Sequence, residues 1–203
     1  MNLLGPTNLG PLALRNRIAM CPMGVNLDGD DRVAWFEARA RGGAGLIIVG
    51  SVSVLHPVGS FDERQAGLAN DEQADDLRRT VDAVHAAGAA IAAQLVHGGQ
   101  NALLDMAAGR PFLVPSRKSP SAPDELSSML TPDEATKAMA PFTTPTARFE
   151  AKEATDDDLA AVVDASAAAA RRAVAIGFDA IELHAGHGYL LDAFLSPFTN
   201  RRH

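Results

Sequence analysis

Four short apolar runs constrain this chain more than any other feature. They are "RIAM" at 17–20, "GLIIVGS" at 45–51, "AIAAQLV" at 90–96 and "AIELH" at 180–184. Each is strand-length and bounded by glycine or polar residues. Helical patterns lie between them. Val33 to Arg41 predicts a short helix ending at Gly42-Gly43, where glycine accepts positive φ. Asn70 can cap a second helix, with Gln73 three residues on; Leu77, Val81 and Val84 share a face, and Gly88 follows. Thr155 opens a third, with Asp156, Asp157 and Asp158 in a first turn where the helix dipole favours acids. Its small-residue face reads as Leu159, Val162, Val163, Ser166, Ala170 and Ala173, and Gly177 ends it.

Buried runs alternating with amphipathic helices predict an α/β fold with a parallel sheet and helices outside it. Doubly wound sheets and (β/α)8 barrels both read this way. No GxGxxG or P-loop string follows a strand, which lowers the nucleotide-binding doubly wound option. In a barrel, function gathers where strands end. That is where the polar residues fall: Pro22-Met23-Gly24, Gly50-Ser51, Gln94 with His97, and His184 with His187.

One segment breaks the rhythm. Residues 101–154 hold many of the prolines and serines, in "VPSRKSPSAPDELSSM" and "APFTTPTARF". A connection of that length is usually a functional lid or disordered. Thr131-Pro132-Asp133-Glu134 predicts a short helix inside it. The chain reads as a single domain with this excursion, without internal repeats.

Composition narrows the partners. A net charge of −7 gives no basic footprint for nucleic acid and makes anionic membrane surfaces poor partners. Cys21 is the one cysteine, so neither an internal disulfide nor a multi-cysteine metal site can form. A reducing, cytoplasmic setting is expected. The first residues lack the charged-then-apolar pattern of a signal peptide, and "AAGAAIAAQLV" is too short to span a bilayer.

The chemistry concentrates in "AIELHAGHGYLLDAFL" at 180–195. His184 ends a strand and His187 follows after a turn, so two imidazoles can meet above the sheet. Two N–H donors aimed at one oxygen stabilise charge developing there. A structural histidine beside an exposed one is the plain alternative, and a zinc site would need a further ligand. Tyr189, the one tyrosine, holds a proton at neutral pH and can act as a general acid, or can simply anchor the following helix. Gln94 offers donors and an acceptor together, which suits a pyrimidine-like edge; a glutamine satisfied by backbone is the alternative. Glycine near Pro22 lets a flat ligand approach closely.

Together the strings "LRNRIAMCPM", "GGAGLIIVGS", "IAAQLVHGG" and "GFDAIELHAGHGYLLDAFLSPFTNRR" resemble the Old Yellow Enzyme family of FMN-dependent ene-reductases and its dienoyl-CoA-reductase-like branch, over residues 1–100 and 155–203. The resemblance implies a (β/α)8 TIM barrel, of which this chain supplies the first four β/α units. It implies FMN over the strand ends and NADH or NADPH as reductant. Pro22, Met23 and Gly24 then match a first-strand turn that touches the flavin, with Cys21 just before it. Ser51 matches a second-strand contact, with the neighbouring Gly50 one register away, and Gln94 matches the glutamine on the flavin pyrimidine. His184 and His187 match the pair that holds the carbonyl oxygen of an α,β-unsaturated substrate, and Tyr189 matches the proton donor. The expected activity is reduction of the activated C=C bond, with hydride from the flavin and a proton from the tyrosine.

There are departures from the family pattern. Gln100 stands where an arginine is common, and a further active-site tyrosine after the first strand has no counterpart. Gly24 occupies the place of a sensor-like cysteine, so that role does not pass to Cys21. The later strand–helix units of the family, with its flavin phosphate site, lie beyond Arg202-His203. Two open strand edges are therefore expected. They suit a complementing C-terminal half or a homo-oligomer, and a catalytically silent, self-associating or partner-binding fragment is the alternative function.

Overall fold

The computed structural model describes residues 2–117, 131–140 and 143–202, with the backbone alone at 138 and 139. An antiparallel hairpin comes first, β1 (Thr7–Leu9) with β2 (Leu12–Leu14). It leads into β3 (Ala19–Met23), α1 (Gly29–Arg41), β4 (Leu46–Ser53), α2 (Asp71–Ala86) and β5 (Ala90–Val96). The excursion holds a 3-10 turn (Gly99–Asn101), α3 (Leu103–Ala107), β6 (Phe112–Val114), α4 (Pro132–Met139) and β7 (Ala151–Glu153). Last come α5 (Asp156–Ala175), β8 (Ala180–Leu183) and α6 (Leu190–Leu195).

The main sheet is parallel, in the order β3-β4-β5-β8. This is the alternation the sequence predicts, laid out as one arc. Its two faces divide by strand parity. Ile47, Val49, Ile91, Ala93 and Leu95 face the helices and join Phe36, Leu77, Val81, Val84, Ala169 and Ala173 in the larger core. Leu46 and Ala92 face the other way, together with Ile48, Ala90 and Ala180, and the hairpin residues Leu12 and Leu14 pack against them. The N-terminal hairpin thus closes the bottom of the inner face. Arg15 fastens it there: its guanidinium donates to the carbonyls of Ala40, Ala44 and Ala87, where α1 and α2 end.

Local chemistry sets the helix ends. Asn70 Oδ1 accepts from the Gln73 N–H at 2.9 Å. Thr155 and Asp158 form a reciprocal capping box, and Thr131 and Glu134 form another at the start of the predicted helix in the excursion. Gly88 and Gly177 take φ of 76° and 100° after α2 and α5. After α1 it is Gly43, at 108°, that turns the chain, while Gly42 stays helical. That helix also starts four residues before the predicted Val33, since buried Arg32 pairs with Asp76 of α2 and anchors the extra turn.

Three further expectations need correction. Val163 does not belong to the packed face of α5; it is 65% exposed, one position round from the buried stripe of Val162, Ala169 and Ala173. Pro22 and Met23 lie inside β3, following Cys21, rather than in a turn after the strand. The excursion is not merely a loop: β6 and β7 pair in parallel through Phe112–Ala151, Leu113–Lys152 and Val114–Glu153, closing its base. The stretch 118–130, which holds most of the Pro/Ser-rich string, lies outside the described residues, as do Pro141 and Phe142. Among the described residues no helix is long and apolar enough to cross a membrane.

Candidate functional site

β3 and β4 each carry a bulge near the C-terminal end. The β3–β4 register shifts between Met20 and Met23, around Pro22, which lacks an N–H for the ladder. The β4–β5 register shifts between Val49 and Val52, around Gly50 and Ser51. The strands come close there: a Cβ on Gly50 would lie 2.6 Å from the Met23 nitrogen. Which of Gly50 and Ser51 faces the ligand side is therefore a matter of the bulge, and simple alternation cannot give it.

Above this level a cavity of about 400 Å³ opens at the strand ends. Gly24, Gly50, Ser51, Phe61, Arg64 and Tyr189 are among its lining residues. It therefore joins three of the predicted site residues, Gly24, Ser51 and Tyr189. Cys21 is exposed and, with Pro22 and Met23, is not part of this lining.

Gln94 stands beside Glu182 on the neighbouring strand, in direct register. Its Nε2 donates to Glu182 Oε1 at 2.6 Å, and the glutamine is only 5% exposed. The other predicted residues follow on β8. His184 is buried, and its backbone N–H donates to Leu95 O at 3.0 Å. Its Nδ1 accepts from the Gly186 N–H at 3.3 Å, which places the ring proton of the neutral form on Nε2. That Nε2 lies 3.2 Å from Nδ1 of His187. Burial, and then the neighbouring His187, push the His184 imidazole below its ordinary pKa against the pull of Glu182 and Asp192. It is thus held neutral, as a donor.

Tyr189 completes the cluster. Its ring centroid is 4.7 Å from that of His184 and 6.0 Å from that of His187, both edge-on. Phe61 stacks on it at 4.6 Å and 28°. Burial raises the phenol's pKa, so it keeps its proton at neutral pH. The structure brings His184, His187 and Tyr189 together.

Several residues of the site were not signalled by their own strings. Phe61 comes from a loop with no periodic pattern. Glu182 was readable, two residues before His184 and so on the same strand face. Gln100 and Asn101 hold the turn after β8: Gln100 Nε2 donates to Gly188 O at 3.2 Å, and Asn101 Nδ2 donates to His187 O at 3.3 Å. Among the described residues no group of three or more His, Cys, Asp or Glu is placed to hold a metal ion.

The donor set fits the pyrimidine edge and flat ring of a flavin. Gln94 has its remaining N–H and its carbonyl oxygen to offer, and Gly24 and Gly50 keep the adjoining strand ends low. Comparison with known proteins agrees. Residues 2–203 match the model of the NADH:flavin oxidoreductase / NADH oxidase family. The chain is 37% identical over 201 residues to an NADPH dehydrogenase of Listeria monocytogenes, covering 96% of this chain and 51% of that protein. It is 36% identical over 208 residues to a metal reductase of Desulforamulus reducens, covering 98% of this chain and 27% of that protein. Among solved structures it superposes on the Old Yellow Enzyme from Pichia sp. AKU4542 with a TM-score of 0.80 at 27% identity, covering 99% of this chain and 50% of that one. Morphinone reductase gives 0.76 at 29% identity, covering 98% and 52%. The chain thus spans about half the length of the NADPH dehydrogenase and about a quarter of the metal reductase, and its four-stranded arc is part of a TIM barrel. It belongs to the NADH:flavin oxidoreductase / NADH oxidase family, the Old Yellow Enzyme group of flavoproteins that use FMN and a nicotinamide reductant.

Proposed function

We propose that residues 1–203 form the N-terminal half of one FMN-binding barrel domain, and that the protein they belong to reduces the activated C=C bond of an α,β-unsaturated carbonyl compound. The observation that carries this is the approach of His184 Nε2 and His187 Nδ1 to 3.2 Å, with the Tyr189 ring beside both. Two imidazole nitrogens that close face one point, where a carbonyl oxygen accepts from both.

The roles follow from the side chains. Gln94, turned by Glu182, takes the flavin pyrimidine edge; Gly24 and Ser51 line the adjoining cavity, and Cys21, Pro22 and Met23 form the strand beneath. On binding, His184 redirects its Nε2 proton from His187 Nδ1 to the substrate oxygen, and His187 joins it as a second donor in the tautomer that carries its proton on Nδ1. Drawing charge onto that oxygen leaves the β-carbon electron-poor. FMN held there would supply the hydride chemistry at that carbon, with NADH or NADPH as the source of reducing equivalents. Tyr189 holds the proton for the α-carbon, and its raised pKa keeps that proton in place until it is needed.

The strand edges bear on assembly. Among the described residues β3 and β8 each have one neighbour in the main sheet, and Leu183 of β8 is 60% exposed. A further strand pairs there, from a continuation of the barrel, a complementing half or a second copy.

The test is anaerobic. The protein with its full barrel, loaded with FMN, is reduced by NADPH and then mixed with 2-cyclohexen-1-one. Return of the oxidised flavin spectrum with formation of cyclohexanone supports the reading. A flavin that binds and is reduced but is not reoxidised by the enone overturns it.

A further inference from the structure

The 3-10 turn after β5 and the turn after β8 are fastened together by consecutive contacts. His97 O accepts from the Leu190 N–H at 3.1 Å. Gln100 Nε2 donates to Gly188 O at 3.2 Å, and Asn101 Nδ2 donates to His187 O at 3.3 Å. The fit is close: a Cβ on Gly99 would lie 2.9 Å from the Leu190 nitrogen, and one on Gly188 would lie 3.2 Å from Gln100 Nε2. From the other side Asp192 Oδ2 accepts the Gly188 N–H at 2.6 Å.

What is held so firmly is an unfavourable conformation. His187 has φ of 61° and Gly188 has φ of 71°. Glycine adopts that region freely, but for a histidine it is unfavourable and persists only where the surroundings enforce it. The two carbonyls of this left-handed pair are the ones that Asn101 and Gln100 occupy. The peptide that sets the direction of the His187 side chain is therefore fixed by two amides from a different strand end.

We infer that Gln100 and Asn101 are positioning residues: by clamping the His187–Gly188 turn they set the separation and direction of His187 Nδ1 relative to His184 Nε2, and so whether both rings can reach one substrate oxygen. His184 needs no such help, because β8 and the Gly186 N–H fix its ring. His187 is exposed and lies beyond the strand, so the clamp is what holds it. Neither residue touches substrate in this account; each acts through the turn. The inference rests on the functional reading above only for its consequence in catalysis.

The experiment uses protein carrying ¹⁵N-labelled histidine and reads the ring nitrogens directly by long-range proton–nitrogen correlation. In the unaltered protein His187 Nδ1 is expected to show the signature of an acceptor coupled to the His184 Nε2 proton. In Asn101→Ala, in Gln100→Ala and in the double variant that coupling is expected to weaken or vanish. The His187 nitrogens then move towards the averaged values of a free imidazole, with the His184 signals in place. Gln100→Arg keeps a donor at this position and is expected to retain the original pattern. The KM for an enone is expected to rise about tenfold in the double variant, with a smaller change in kcat, as an orienting hydrogen bond is lost. Unchanged His187 signals in both single variants overturn the inference, as does a Gln100→Arg spectrum matching that of Gln100→Ala. His187 signals that respond in a protein that reduces no enone overturn the functional reading and leave the clamp standing.

Discussion

Gln94 Nε2 donates to Glu182 Oε1 at 2.6 Å across the paired strands β5 and β8. A carboxylate only accepts, so it settles which end of the amide points where. The nitrogen is drawn to β8, and the carbonyl oxygen is left for a ligand's N–H. Glu182→Ala frees the amide to rotate and is expected to raise the Kd for FMN about tenfold, roughly one orienting hydrogen bond. Glu182→Gln retains a carbonyl acceptor and is expected to fall between. Quenching of flavin fluorescence measures all three; equal affinities would show that the pair does not orient the site.

The two bulges make Gly50 a point of close backbone contact. A Cβ there would lie 2.6 Å from the Met23 nitrogen and 2.8 Å from the Pro22 carbonyl carbon. Neither atom belongs to a flexible side chain, so β3 must move away from β4. Gly50→Ala is expected to cost about 2–3 kcal/mol, in the range of overpacked sites. Gly24, which has nothing within 4 Å of its Cβ position, is the control, and Gly24→Ala is expected to stay within about 0.5 kcal/mol. Urea unfolding with an unchanged m-value decides between these costs.

His97 is buried at the end of β5, with Nδ1 accepting from the Gly99 N–H at 3.1 Å and Nε2 without a hydrogen-bond partner among the described residues. Burial pushes its pKa down to about 4, from 6.5, against the pull of Asp105. Above pH 6.5 the ring is neutral in both folded and unfolded chains, and its full contribution is present. As pH falls from 6.5 towards 4, the unfolded chain takes up a proton that the folded one refuses. Stability then drops by up to about 3 kcal/mol, and the drop ends near pH 4. In His97→Asn this slope is expected to disappear. Unfolding free energies of the two proteins at pH 7 and pH 4.5 test it; parallel losses in both would place the acid sensitivity elsewhere.

These residues also show what could be read from the sequence and what could not. Asn70, Thr131 and Thr155 were legible as caps because a cap depends on residues three positions away. Gln94 and His184 were legible as strand-end groups because alternation along a strand is local. The bulges at Pro22 and Gly50–Ser51 were not, since a bulge exists only relative to the partner strand. Val163 falls outside the packed stripe of α5, which keeps Val162 and Ala173 of the expected face, because an alanine-rich helix gives a weak period and leaves the edge of that face undefined. Phe61 reaches Tyr189 from a loop 128 positions earlier in the chain, and nothing local announces such a contact. The pairing of β6 with β7 joins the two ends of the excursion, and three residues a side leave no pattern to detect.

Tyr189 offers the sharpest separation of structure from chemistry. Its ring is held by Phe61 and by the edge of His184, and phenylalanine preserves both contacts. Tyr189→Phe is therefore expected to unfold within about 0.5 kcal/mol of the unaltered protein. The loss falls on the hydroxyl proton. Reduction of the flavin by NADPH involves no proton from this residue and is expected to keep its rate. Reoxidation by an enone is expected to slow about 100-fold, the scale of a lost general acid. The sign of the pH dependence follows from burial, which raises the phenol's pKa above its ordinary value of 10.0. Below that pKa the acid form prevails, so enone reduction in the unaltered protein is expected to show little loss from this group through about pH 9. Stopped-flow measurement of the two half-reactions separates the cases. Equal slowing of both would mean that the substitution disturbs the flavin, and an unchanged reoxidation rate would mean that the proton comes from another donor.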